Sequence, residues 1–241
     1  YRVTNGIRPY SVLTGMRSVS RHKYNPLRHE ADYCLDLGRK LGVQSDDLRP
    51  EIFLSAEEKK EGRAILQSYG VGANERVLGI HPGSGRSSPN WKVERYAEVA
   101  RRLSLQPDLK TFITGCENEK HFWTHFESVR SPSIINLIGR LSLRQLMSTI
   151  ANYDCLFSPS TGPMHIAAAL KVPTVSLFTR LPACSPTLWG PIGNRSQVLL
   201  PPENFCQVKC EIDPKRCTLE GIEVERADAT IRKILEERSK N

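Results

Sequence analysis

The chain has 241 residues, enough to bury the core of a large domain or a domain and a half, and its 39% hydrophobic and 25% charged content belong to a globular protein, not a disordered one. A net charge of +8 keeps nucleic acid or an anionic surface open as partners. No apolar run approaches the roughly 20 residues that cross a bilayer and no stretch reads as a secretory signal, so a soluble or membrane-peripheral chain is expected.

The positive excess is concentrated at the start, where Arg2, Arg8, Arg17, Arg21, Lys23 and Arg28 precede the first acid. Without interleaved aromatics or zinc-finger spacing this reads as a solvated loop, and no nucleic-acid partner is expected. Residues 1–26 show no periodicity and read as loop with one short strand. A chain opening on Tyr1 without methionine and without a periodic element reads as a cut from something longer. Ala31, Cys34, Leu35, Leu37 and Leu41 then fall on a helical stripe over residues 29–41, closed by Gly42. A strand-like stretch at 52–54 follows. Ser55 with Glu58 forms a capping box for a helix over 56–69, stopped by Gly70 and Gly72.

From Arg76 the pattern alternates. Strands are predicted at 77–80, 110–114, 134–137, 154–157, 174–178 and 197–200. Helices are predicted at 93–103 and 117–129, from the capping box of Ser142 and Gln145, after Gly162, and at 224–238. Strands separated by helices of this length imply an α/β, Rossmann-like parallel sheet with helices on both faces. The boundaries drawn are 1–72, 73–200 and 201–241.

In such a sheet ligands sit beyond the carboxyl ends of the strands, which singles out two loops. One is His81-Pro-Gly-Ser-Gly-Arg-Ser-Ser-Pro-Asn-Trp91, with glycines that admit a close ligand, hydroxyls at Ser84, Ser87 and Ser88, and cations at Arg86 and Lys92. It is neither GxGxxG nor a Walker A loop. The other is Ser158-Pro-Ser-Thr-Gly-Pro-Met-His165, a strand end running into a helix, with Thr161 or Gly162 as the N-cap and Pro163 in the first turn. Free N–H groups and the helix dipole suit a phosphate there, with Ser160, Thr161 and His165 adding donors. A capped helix in an α/β core is the plainer alternative.

The remaining residues carry less. Cys34, Cys116, Cys155 and Cys184 are scattered like reduced thiols, and Cys206, Cys210 and Cys217 cluster without a fourth ligand, so no metal site is expected. His22, His29, His121 and His125 read as ordinary surface residues. Trp91 and Trp189 flank the two loops, where burial beneath them is expected and stacking on a base or sugar is the alternative.

An ordered set of residues carries a resemblance: His81-Pro-Gly-Ser-Gly with Trp91 and Glu94-Arg95-Tyr96-Ala97, Ile113-Thr-Gly115, Leu137-Ile-Gly139 with Leu143, Ser160-Thr-Gly-Pro-Met-His165-Ile-Ala-Ala-Ala-Leu170, Pro173-Thr-Val-Ser-Leu-Phe178, and Trp189-Gly-Pro191. Over residues 76–200 the chain resembles the C-terminal domain of glycosyltransferase family 9, the lipopolysaccharide heptosyltransferases. Gly6-Ile-Arg8 and His29-Glu30 with the following helix resemble the tail of that family's N-terminal domain. The resemblance implies half of a GT-B fold, with residues 73–200 binding a nucleotide-sugar donor and residues 1–72 a remnant of the acceptor-side domain and linker. It implies inverting, metal-independent transfer of a heptose or related sugar from ADP-heptose to a lipid-linked saccharide acceptor, without a cofactor. The setting it implies is cytoplasmic, peripheral to the inner membrane. Donor contacts carried over are Ser84, Gly85, Arg86, Lys92, Ser160, Thr161, Gly162 and His165, with Glu117 or Glu119 near the nucleoside. Two positions depart: Ser160 stands where the family commonly has Asp, and Pro89 where it commonly has Lys. The family's general base is an aspartate near the start of the N-terminal domain, a region outside these 241 residues, so no catalytic residue is expected within them. A non-catalytic nucleotide-sugar-binding module and a nucleotide-sugar epimerase are the alternatives.

Overall fold

The structure is a computed structural model that describes residues 2–6, 9–19, 25–129, 131–205 and 217–238. Arg8, Arg21, His22, Lys23, Cys206 and Cys210 lie outside the described residues. The first elements are β1 (Val3–Asn5), α1 (Pro9–Leu13) and β2 (Arg17–Val19), with the two strands paired in parallel. The sequence predicts only loop and one strand here. Three-residue strands are too short to show a period of two, and the signals that remain are Pro9 opening the helix and Gly15 closing it at a φ of +63°.

Helix α2 (Glu30–Arg39) follows, with its Asp32 and Asp36 held between Arg28 and Arg39 at 2.6–2.9 Å. Residues 52–54 are not a strand: Phe53 is 81% exposed and its carbonyl accepts from Arg144 instead of a ladder partner. Helix α3 (Ala56–Ser68) starts on the expected capping box, Ser55 Oγ accepting from Glu58 N and Glu58 from Ser55 N.

The alternating region then forms β3 (Arg76–Ile80), α4 (Val93–Leu103), β4 (Leu109–Ile113), α5 (Trp123–Glu127), β5 (Ile134–Asn136), α6 (Leu143–Ile150), β6 (Cys155–Pro159), α7 (Gly162–Ala169), β7 (Thr174–Leu177), α8 (Pro186–Trp189), β8 (Ser196–Leu199) and α9 (Val224–Arg238). The helix predicted over 117–129 is instead a 3-10 turn, Glu117–Phe122, leading into the short α5. The six strands are all parallel in the order β5-β4-β3-β6-β7-β8. Strand residues alternate between two cores. Leu78, Ile80, Cys155 and Phe157 pack with α4, α5 and α9 on one face, and Val77, Phe112 and Leu156 with α3, α6 and α7 on the other.

Two glycines set close approaches. A Cβ on Gly62 of α3 would land on the Ser148 carbonyl of α6, so the two helices touch backbone to backbone there. A Cβ on Gly79 of β3 would land on the Tyr153 ring, which stacks on Phe112 at 6.4 Å. No helix among the described residues is long and apolar enough to cross a membrane.

Candidate functional site

From β3 the chain builds outward to β4 and β5, then returns to the other side of β3 for β6, β7 and β8. The loops leaving β3 and β6 therefore diverge, and a crevice opens between them at the carboxyl edge of the sheet.

The loop after β3 is shaped by its own polar groups. His81 N still donates to Phe157 O across the ladder at 3.0 Å. Asn90 Nδ2 donates to Pro82 O at 2.6 Å and is itself held by the Tyr96 hydroxyl at 2.7 Å, which pins the loop's base. At the tip, Gly85 and Arg86 both take left-handed conformations, with φ of +53° and +63°. The Ser87 hydroxyl donates to Ser84 O at 2.6 Å and that of Ser84 to Ser88 O at 3.2 Å. Trp91 is buried, as expected from its place at the end of the loop, and its indole N–H donates to Leu219 O at 3.0 Å.

The turn after β6 presents the start of α7. Thr161 is the N-cap, extended at φ −153° and ψ 169°, and its carbonyl accepts from Met164 N and His165 N at 3.1 and 3.4 Å. Pro163 has no N–H, and the N–H of Gly162 has no acceptor among the described residues. The Thr161 hydroxyl makes no cap bond, so it and the Gly162 amide remain available to a ligand at the positive end of the helix.

The two loops are joined. Ser88 Oγ donates to Ser160 O at 2.7 Å, and between the loops lies a cleft of about 220 Å³ lined by Ser87, Ser88, Ser160, Thr161, Gly162, His165, Cys184 and Trp189. The lining offers hydroxyls, an amide N–H, an imidazole and an indole face, and no carboxylate. His165 meets Trp189 edge to ring at 6.5 Å. Burial, and secondarily the nearby His29, hold the His165 pKa below the ordinary value, so the ring acts as a neutral hydrogen-bonding group.

One strand further along the sheet, Glu119 turns back to accept from Cys116 N at 2.8 Å, and its carboxylate lies where a side chain on Gly83 would be. Beside it, His81 is buried with Nδ1 2.9 Å from the Thr114 hydroxyl. Burial lowers its pKa to about 4, against an opposing pull from Glu119. Glu117 is exposed and paired with Lys120 at 2.5 Å.

Of the residues singled out from sequence, Ser160, Thr161, Gly162 and His165 thus line one wall, and Ser84, Gly85 and Arg86 belong to the loop that forms the other. Glu119 reaches that loop from below at Gly83, and Glu117 stands further out. Lys92 is drawn to Glu220 at 3.4 Å and is not part of the lining. Trp189, expected to be buried, is half-buried and lines the cleft, and Cys184 was not legible there because the 3-10 turn Pro182–Cys184 that carries it shows no periodic pattern. His29 is not a plain surface residue: it is half-buried, caps α2 and bonds Gly190 O. Among the described residues no group of three or more His, Cys, Asp or Glu side chains could hold a metal ion.

Residues 7–216 match the profile of glycosyltransferase family 9 (heptosyltransferase). A putative glycosyltransferase of Haemophilus influenzae is 23% identical over 209 residues, 80% of this chain and 58% of that protein. The chain therefore spans less than two thirds of that relative's length. Among solved structures, a family 9 glycosyl transferase from Veillonella parvula superimposes with a TM-score of 0.78 at 21% identity, covering 98% of this chain and 68% of the other. The Escherichia coli ADP-heptose LPS heptosyltransferase II gives 0.67 at 18% identity, covering 95% and 73%. At these identities the superpositions speak for the fold.

Proposed function

This chain belongs to glycosyltransferase family 9, and from that premise we propose that its cleft holds the diphosphate of an ADP-activated heptose or related sugar, in an enzyme that transfers the sugar with inversion to a lipopolysaccharide core acceptor. The observation that carries the reading is the Ser88–Ser160 bond, which sets a hydroxyl-rich loop against the open amide end of α7 in one crevice. As the bond to the sugar breaks, negative charge grows on the leaving diphosphate. Fixed donors already aimed at that position stabilise it without reorganising. The Gly162 amide, the Thr161 hydroxyl and neutral His165 are such donors. Arg86, exposed on the loop and without an ion-pair partner among the described residues, supplies the cation.

On this reading residues 73–200 are the donor-binding domain and residues 1–72 belong to the acceptor side. Glu119, with Glu117 beyond it, lies toward the nucleoside. The attacking hydroxyl must lose a proton to a base, and we assign that role to a group outside the cleft lining, which has no carboxylate. A lipid-linked acceptor would bring the protein to the cytosolic face of the inner membrane.

The test is calorimetric titration with ADP, ADP-heptose, UDP and UDP-sugars, beside a Thr161→Ala, His165→Ala double variant. The expected result is binding of the ADP ligands that the variant loses. Failure of every nucleotide to bind at millimolar concentration sinks the donor reading. Ser160 and Pro89, where the family commonly has Asp and Lys, favour a second reading, a binding module without chemistry. Donor binding with no sugar release by the full-length protein in the presence of a lipid-linked acceptor would support it.

A further inference from the structure

His29 stands between two parts of the molecule far apart in sequence. Its Nδ1 accepts from Ala31 N at 3.1 Å, which makes it the N-cap of α2. That bond leaves the ring proton on Nε2, and Nε2 lies 2.8 Å from Gly190 O, a carbonyl 161 residues away. Gly190 is buried, its N–H donates to Pro186 O at 2.7 Å, and a Cβ there would press on the same carbonyl, so the segment has little room to move. The residue before it, Trp189, is fixed by its indole bond to Ala183 O at 3.0 Å and meets His165 inside the cleft. One imidazole thus ties the first turn of α2 to the wall of the cleft.

We propose that His29 is a positioning residue: held in a single tautomer by the α2 cap, it fixes Gly190 and through it the Trp189–His165 contact, so that the cleft is shaped for its ligand only while α2 is docked. That the ligand is a donor nucleotide rests on the reading given above; that the wall is set by His29 does not. The coupling has a direction for the enzyme as well. Displacement of α2 and occupation of the cleft become one equilibrium, since whatever favours the docked imidazole favours the ordered wall.

Two near-isosteric variants separate this role from capping. His29→Asn places its amide oxygen near Nδ1 and keeps a cap acceptor, but falls short of Gly190. His29→Gln extends an N–H toward the Nε2 position and restores the Gly190 bond while giving up the short cap. The imidazole resonances of His165 and ADP affinity are measured in both and in the wild type. Positioning predicts that Asn shifts the His165 resonances and weakens ADP by roughly three- to tenfold, the loss of one hydrogen bond, while Gln leaves both near wild type. If Asn keeps His165 and ADP binding as they are, or if Gln is the variant that disturbs them, His29 is a cap alone and the proposal fails. If the wild type binds no ADP but Asn still shifts His165, the positioning role stands and the donor reading falls.

Discussion

Ser88 and Ser160 are 72 residues apart in the chain, and the hydroxyl of the first donates to the carbonyl of the second at 2.7 Å. No backbone pairing holds these two loops together at that point, so the side chain sets the width of the cleft. Ser88→Ala removes one half-buried hydrogen bond, and ADP affinity is expected to fall by roughly three- to tenfold with a stability loss of about 1 kcal/mol. Titration and urea unfolding measure the two. An affinity unchanged within error would show that the loops are held apart by other contacts.

A substitution at Gly162 should move stability and binding in opposite directions. The residue is exposed in the first turn of α7 and an added Cβ would meet nothing within 4 Å, so a larger side chain fits. In Gly162→Asp the carboxylate meets the positive end of the helix and is expected to stabilise by about 0.3–1 kcal/mol. The same charge repels a diphosphate, and ADP binding should drop by an order of magnitude or more. A variant that is more stable and still binds would place the anion elsewhere.

Acid sensitivity should trace to His81. Its ring is neutral in the folded protein because burial lowers its pKa to about 4, whereas in the unfolded chain it accepts a proton near pH 6.5. The unfolded state therefore binds more protons between those values. Stability is fully present above pH 6.5 and is lost as pH falls toward about 4, by roughly 3 kcal/mol in all. Urea unfolding at stepped pH should show a slope of about one proton over this window, and His81→Gln should remove it. Parallel profiles for wild type and variant would exonerate His81.

Gly62→Ala would be mildly stabilising on a solvated helix, by about 1 kcal/mol. On α3 the new methyl lands on the Ser148 carbonyl, and backbone cannot swing aside as a side chain can. A destabilisation of about 1–3 kcal/mol is expected from prying α3 off α6. At Gly83 the same change meets the end of the Glu119 side chain, which can rotate away at the cost of its bond to Cys116 N. The loss there should be smaller. Thermal unfolding of the two variants gives the comparison.

The parts of this fold that the sequence reveals are those governed by neighbours in the chain. The capping boxes of Ser55 and Ser142, the apolar runs of β3 and β6 and the Thr161-Gly-Pro start of α7 each declare themselves within a few residues. Where geometry depends on a distant partner the reading stops. Residues 52–54 have strand composition but no strand beside them. Glu117 to Phe122 winds tighter than an α-helix although the Glu119 carboxylate accepts from Cys116 N in the same way that opens α3 and α6. The same limit applies to the cleft. Thr161 and His165 are legible from the helix start, but nothing distinguishes Ser88 from Ser84 and Ser87 until Ser160 is seen beside it. Likewise His29 resembles any polar residue ahead of a helix until Gly190 appears opposite its Nε2.

The neighbouring placement of β3 and β6 also makes the cleft depend on a distant pairing. Val77 N donates to the carboxylate of Asp154, 77 positions later, so the central ladder joins two segments between which β4 and β5 intervene. Long closures of this kind are slow steps in folding because chain entropy is lost before contacts repay it. Both walls of the cleft hang from these two strands. The cleft therefore depends on a long-range pairing: until β3 and β6 are joined there is nowhere to hold a ligand, and competence to bind appears with that pairing.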